Sequence, residues 1–168
     1  MKSKVLILDT SVLCCWLRVP GKETAGPLED RWNHTRIKDL LAEECSNGST
    51  FVLPMATLIE TGNHIAQAPE RRFECAKELA TCLRQAADES SPWAAFTDQS
   101  KLWTPLALHN LAEDWPNLAA SGMSLGDATI KDVAEYYAEA GWKVEILTGD
   151  KGLKAYEPPP VPVPRRRK

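Results

Sequence analysis

Four acidic residues occupy positions where a carboxylate has more to do than face water. Residues 4–11 read KVLILDTS: an apolar run, then Asp9, then the hydroxyls of Thr10 and Ser11. Residues 144–153 read VEILTGDKGL and repeat the pattern, with Thr148 and Gly149 ahead of Asp150. Asp127 sits in SLGDATI and Glu60 in LPMATLIE. Converging carboxylates repel one another, and they make sense together around hard divalent cations such as Mg²⁺ or Mn²⁺, which prefer carboxylate and water oxygens. A metal held in this way activates a water and stabilises charge on a phosphoryl group. Each residue taken singly has a plainer reading. Asp9 is then an N-cap, Asp127 a cap or dipole-favouring residue, Asp150 a turn residue after Gly149 and Glu60 a solvated helix residue. Only their joint placement selects the metal-site reading.

That placement depends on the elements between them. The apolar runs 5–8, 51–53 and 144–147 read as short strands, the first buried on both faces. Apolar spacing predicts helices over 12–17, 28–45, 55–66, 70–89 and 128–140, a short one over 105–114, and another after Asp150. On the helix over 70–89 the apolar stripe is Phe73, Ala76, Leu79, Ala80 and Leu83. The rest of 92–123 reads as irregular. Strands alternating with helices favour an α/β fold with a parallel sheet. In such sheets functional residues gather beyond the carboxyl ends of the strands. Asp9 and Asp150 then share one rim, Asp127 faces it from a helix N-terminus, and Glu60 overhangs it from two turns into its helix.

The segments LILDTSVL, LPMATLIE, SLGDATI and ILTGDKGL, in this order, resemble the motifs of PIN-domain nucleases, in particular the compact VapC-like toxins of bacterial toxin–antitoxin pairs. The resemblance implies a PIN-like three-layer α/β/α sandwich with a short central parallel sheet over residues 1–156. It also implies a Mg²⁺- or Mn²⁺-dependent ribonuclease, with Asp9, Glu60, Asp127 and Asp150 as the acidic metal site. Thr10 or Ser11, and Thr148, match the family's hydroxyl positions, where they would orient carboxylates or a metal-bound water. The implied reaction is in-line attack of water on an RNA phosphodiester, with no histidine needed as base. The implied partners are RNA, a cognate antitoxin protein and a second copy of the chain. The stretch between Glu60 and Asp127 is long for a minimal toxin and contains Trp93, Trp103 and Trp115, so 92–123 reads as a family-atypical insertion. Two rival readings stand beside this one. The first is a catalytically silent PIN-like binding or scaffold module. The second is a haloacid-dehalogenase-type phosphatase, which needs an Asp two residues after its nucleophile where this chain has Ser11.

Composition sets outer limits. A chain of 168 residues with 43% hydrophobic content has enough apolar material for one domain with a real core. No apolar stretch approaches the roughly 20 residues of a membrane span. The N-terminal apolar run is too short for a signal peptide and is broken by Asp9, so a cytoplasmic location is expected. The net charge of -3 includes the basic residues 165–168, so the body is more acidic still. That excludes a protein that coats nucleic acid by bulk charge. Residues 157–168 form a Pro-rich basic tail, read as extended or disordered, with one edge strand near 161–163 as a further reading. Its basic cluster grips RNA phosphate, meets an acidic partner or is simply solvated. Cys14, Cys15, Cys45, Cys75 and Cys82 lack zinc-site spacing and read as free thiols. His34, His64 and His109 read as ordinary surface or core residues, with His64 the least secure because it lies one turn after Glu60. The tryptophans of 92–123 read as core residues, with stacking on unpaired bases as the alternative.

Overall fold

The N-terminal apolar run forms the middle strand of a three-stranded parallel sheet. The computed structural model describes residues 4–94 and 96–160. In chain order the elements are β1 Lys4–Leu8, α1 Thr10–Leu17, β2 Thr24–Ala25, β3 Trp32–Asn33, α2 His34–Ser46, β4 Thr50–Val52, α3 Met55–Gln67, α4 Arg72–Ala87, a 3-10 segment Phe96–Trp103, α5 Pro105–Ala120, α6 Leu125–Glu139, β5 Lys143–Leu147 and α7 Lys151–Lys154. The sheet order is β4-β1-β5, with Leu6 opposite Phe51 on one side and Glu145 on the other.

Alternation along β1 explains the layers. Successive strand side chains point to opposite faces, and here both faces are covered. Leu6 and Leu8 pack with Val12, Leu13, Ile37, Ile65 and Leu79 of the helices α1 to α4. Val5 and Ile7 pack with Ile130, Val133, Ala134 and Tyr137 of α6. The chain is therefore α/β, with a small parallel sheet flanked by helices on both sides, an arrangement compatible with three α/β/α layers.

Both sheet edges are closed, which blocks the unwanted pairing an open edge invites. Phe51 exchanges backbone bonds with Pro92 and Ala94, 2.8 Å each. On the other side, Ile146 N–H donates to Glu157 (2.7 Å) and Ile146 O accepts from Lys154 (3.0 Å). The predicted edge strand near 161–163 and the basic cluster 165–168 lie outside the described residues. Among the described residues no helix is long and apolar enough to cross a membrane.

Several elements differ from expectation. The helix expected over 28–45 is three elements: a 3-10 turn at Leu28–Asp30, strand β3, and α2 from His34. Leu28 is 86% exposed, and Asn33 caps α2 by accepting from Arg36 N–H at 2.9 Å. Leu28 and Trp32 thus matched a helical period without sharing a helix. On α4 the buried stripe is Cys75, Leu79, Cys82 and Ala86, whereas Phe73 is 76% exposed. The predicted stripe is rotated because the thiols, small apolar groups in their own right, take the inward positions.

The region expected to be irregular is mostly helical, and α5 runs through Pro116 to Ala120 rather than stopping near Asp114. It buries none of its residues and packs on α6 and the 3-10 segment. Of its region's tryptophans, Trp93 is buried in the core, where it packs edge-on to Phe51. Trp103 is exposed, and Trp115 is half-buried with its indole N–H donating to Met123 O at 3.2 Å. The core reading holds for the first only. All five cysteines are free.

Candidate active site

The two ends of the sheet differ in charge. At the amino ends, Lys4 bridges Glu44 and Glu145. Burial opposes the charge on Glu44, but hydrogen bonds from Lys4 and Ser49 outweigh it and hold the carboxyl below its ordinary range. At the carboxyl ends, Asp9, Glu60, Asp127 and Asp150 line a single cavity of about 350 Å³ with Thr10, Ser11, Lys22 and His64. None of these four carboxylates forms an ion pair among the described residues.

Asp9 leaves β1 in register, its N–H donating to Leu147 O at 3.0 Å. It occupies the N-cap position of α1, but its side chain makes no capping bond, so the simple cap reading is wrong for this residue. Its Oδ2 instead accepts from Thr148 Oγ1 (2.7 Å) and Ser11 Oγ (2.8 Å). Each hydroxyl relays further: Ser11 Oγ accepts from Gly149 N–H (3.0 Å), and Thr148 Oγ1 accepts from Asp150 N–H (2.9 Å). The two hydroxyls tie the end of β1 to the end of β5.

Glu60 projects from the second turn of α3. Its Oε2 accepts from Thr10 Oγ1 at 2.9 Å. Its carboxyl lies against the first turn of α6, where a Cβ on Gly126 would collide with it. Gly126 is thus the clearance through which α3 delivers its acid. Ser124 caps α6 by accepting from Asp127 N–H at 3.0 Å, which starts the helix three residues earlier than expected and places Asp127 in its first turn. Asp150 does cap its helix: Oδ1 accepts from Gly152 N–H (2.7 Å) and Leu153 N–H (3.4 Å). Its turn reading is therefore correct as far as it goes, while the same side chain also borders the cavity.

Burial raises the Asp127 carboxyl above its ordinary range. The Ser124 hydroxyl opposes this, and Asp9, Asp150 and Glu60 all add to it. An acid raised on folding destabilises the native state above its folded pKa and has no such effect below its ordinary value. In metal-free buffer, Asp127→Asn is therefore expected to melt above wild type at pH 7. The gap should close as the pH falls towards the ordinary Asp range. Thermal melts from pH 7 to 3.5 check this, and a variant less stable than wild type at pH 7 contradicts it.

The donor set is all oxygen, which suits Mg²⁺ or Mn²⁺ rather than zinc. Cys14 also borders the cavity, with its thiol pushed up to about 12, above all by burial. As the side chains stand, no three His, Cys, Asp or Glu among the described residues form a group able to hold an ion. Asp9, Glu60 and Asp150 each accept the hydrogen bonds given above. The residues fit the cation by donor chemistry and common cavity, and their oxygens are spread around its wall.

Sequence reasoning missed another part of the cavity wall. The β2–β3 hairpin contributes Thr24 and Ala25, and Lys22 precedes it. Trp32 Nε1 donates to Thr148 O at 3.1 Å, and a Cβ on Gly149 would meet Gly26 N at 2.7 Å and Ala25 Cβ at 2.9 Å. Two-residue strands carry no readable period, but the Pro20-Gly21 and Gly26-Pro27 pairs were turn signals around them. Comparison of the chain with family models, with curated proteins and with solved structures finds no match.

Proposed function

We infer that this chain is a Mg²⁺- or Mn²⁺-dependent ribonuclease that hydrolyses RNA phosphodiester bonds. The observation that carries the reading is the gathering of Asp9, Glu60, Asp127 and Asp150 around one cavity without a single ion pair among the described residues. Folding has placed repelling charges together at one end of a sheet whose other end holds a lysine between its glutamates. A bound cation would offset that repulsion as the largest local charge in the site.

A bound divalent ion would supply a Lewis acid for the phosphoryl oxygen and lower the pKa of a water. The residues of this chain do the rest. Asp9, Glu60, Asp127 and Asp150 would hold the ion. Thr10, Ser11 and Thr148 fix the carboxylates by the bonds described above, so orientation costs little at the moment of reaction. Asp127 and Asp150 also border a second cavity, with Met123, Gly152 and Tyr156. Carboxylates shared by two cavities suit a polymer passing across them better than a small molecule seated in one.

The silent-module reading draws on a different observation. The carboxylates are spread, and Asp9, Glu60 and Asp150 are occupied by internal hydrogen bonds. One experiment separates the two. Labelled single-stranded RNA is expected to be cut in Mg²⁺ or Mn²⁺, spared in EDTA, and cut again when excess Mn²⁺ is restored. RNA left intact at every metal concentration favours the silent module, and cleavage that persists in EDTA overturns the metal site. The reading brings with it the role of toxin in a type II toxin–antitoxin pair, with an antitoxin and a second copy as partners. A small adjoining reading frame whose product inhibits cleavage tests that part.

A further inference from the structure

The cavity wall also carries a lysine whose position is set by four residues. Val19-Pro20-Gly21-Lys22 is a type II turn: proline second, glycine third with φ at +84°, and Lys22 N–H donating to Val19 O at 2.8 Å. Val19 is fully buried, and its own N–H donates to Cys14 O at 3.0 Å. The turn is therefore fastened to α1, the helix that begins just after Asp9. Two residues after Lys22 the chain enters the β2–β3 hairpin, which is held to the Thr148–Gly149 segment by Trp32 and by the Gly26–Gly149 backbone approach. The Lys22 backbone is thus tied on one side to the segment bearing Asp9 and on the other to the segment bearing Asp150.

The side chain is exposed, borders the cavity and makes no ion pair among the described residues. Its charge reaches the Cys14 thiol, which also borders the cavity, and there opposes that of Asp9. A lysine present only to quiet the carboxylates would be bonded to one of them, as Lys4 is bonded to Glu44 and Glu145 at the other end of the sheet. A free ammonium on a fixed backbone is instead available to an incoming anion. RNA meets four negative charges at this cavity, and a point-charge cation beside them offers its phosphate a landing place without reading bases.

We propose that Lys22 is a substrate-binding residue that contacts a phosphate oxygen of the RNA strand as it enters the carboxylate cavity. The proposal rests on the ribonuclease reading, and its test separates the two. Wild type, Lys22→Ala and Lys22→Arg are compared as full chains by fluorescence anisotropy. The probes are two labelled single-stranded RNAs of unrelated sequence, in Ca²⁺ and over a KCl series. Loss of one phosphate contact lowers the slope of log K against log[salt] by about 0.7. Lys22→Ala should show that loss and weaken both RNAs alike, while Lys22→Arg keeps the wild-type slope. Wild-type RNA binding with an unchanged slope in Lys22→Ala overturns this inference alone, as does a loss confined to one sequence. Absence of RNA binding by wild type overturns the ribonuclease reading and this inference with it.

Discussion

Asp9→Asn is expected to reduce RNA cleavage by on the order of a thousandfold while leaving the melting temperature close to that of wild type. The magnitude follows from the several kcal/mol of charge stabilisation a catalytic metal supplies, at tenfold in rate for each 1.36 kcal/mol. The structural cost is small because asparagine keeps an oxygen where Oδ2 now stands, still able to accept from Thr148 and Ser11. The substitution removes the charge and little else. Thr148→Val does the reverse: the Asp9 charge remains, but the hydroxyl that orients it and receives Asp150 N–H is gone. A loss of about 10- to 100-fold is expected there, as for other residues that hold a metal's ligands in place. Single-turnover cleavage in saturating Mn²⁺, with melts run in parallel, measures both. Equal cleavage by wild type and Asp9→Asn, in preparations free of contaminating nuclease, would sink the role given to Asp9. A Thr148→Val loss as large as that of Asp9→Asn would place the hydroxyl in the chemistry itself.

The acidic residues were legible in the sequence because strands announce where they end. An apolar run closed by Asp9, and another closed by Thr148-Gly149-Asp150, give both the strand and the rim on which its next residues must lie. Glu60 followed from the helix start that Pro54 marks, and Asp127 from the start expected at 128, which Ser124 in fact sets at Leu125. The structure brings all four to one cavity. The hydroxyls were legible as a group, but their division of labour was not. Thr10 serves Glu60, whereas Ser11 and Thr148 share one oxygen of Asp9. Neighbouring residues at a helix start diverge by about 100°, and which acid each meets depends on α3 and β5, far away in sequence.

What stayed hidden was decided by contacts without a period. The hairpin is held by a tryptophan on a carbonyl and by two glycines in backbone contact, and no repeat in the chain reports such pairings. The rotated face of α4 has a related cause. Cys75, Leu79, Cys82 and Ala86 are spaced 4, 3 and 4 apart, as a helix face should be. A count that favours the largest apolar side chains picks Phe73 and Leu83 instead, and both are exposed. His64 lies between these cases: its spacing from Glu60 made it suspect, and it does border the cavity.

Gly126→Ala should separate stability from activity without altering an acid. The residue has an ordinary helical backbone in the first turn of α6, where alanine is favoured over glycine by about 0.5–1 kcal/mol in helix interiors. A Cβ there would land on Glu60 Oε1 and lie 3.2 Å from Glu60 Cδ. Glu60 presents the far end of a flexible side chain, so it moves aside and the backbone does not. The expected result is a melting temperature equal to or above wild type, together with a loss of about a hundredfold in cleavage, since a misplacement of about 1 Å at a reacting centre costs that much. Gly149→Ala is no substitute, because its Cβ would meet backbone at Gly26 and Ala25, which cannot step aside, and the hairpin would shift. The decisive comparison is a cycle with Glu60→Gln. If Gly126 acts by giving Glu60 room, then adding Gly126→Ala to Glu60→Gln costs nothing further. Losses that multiply would show that Gly126 has another role in the site and that Glu60 does not depend on its clearance.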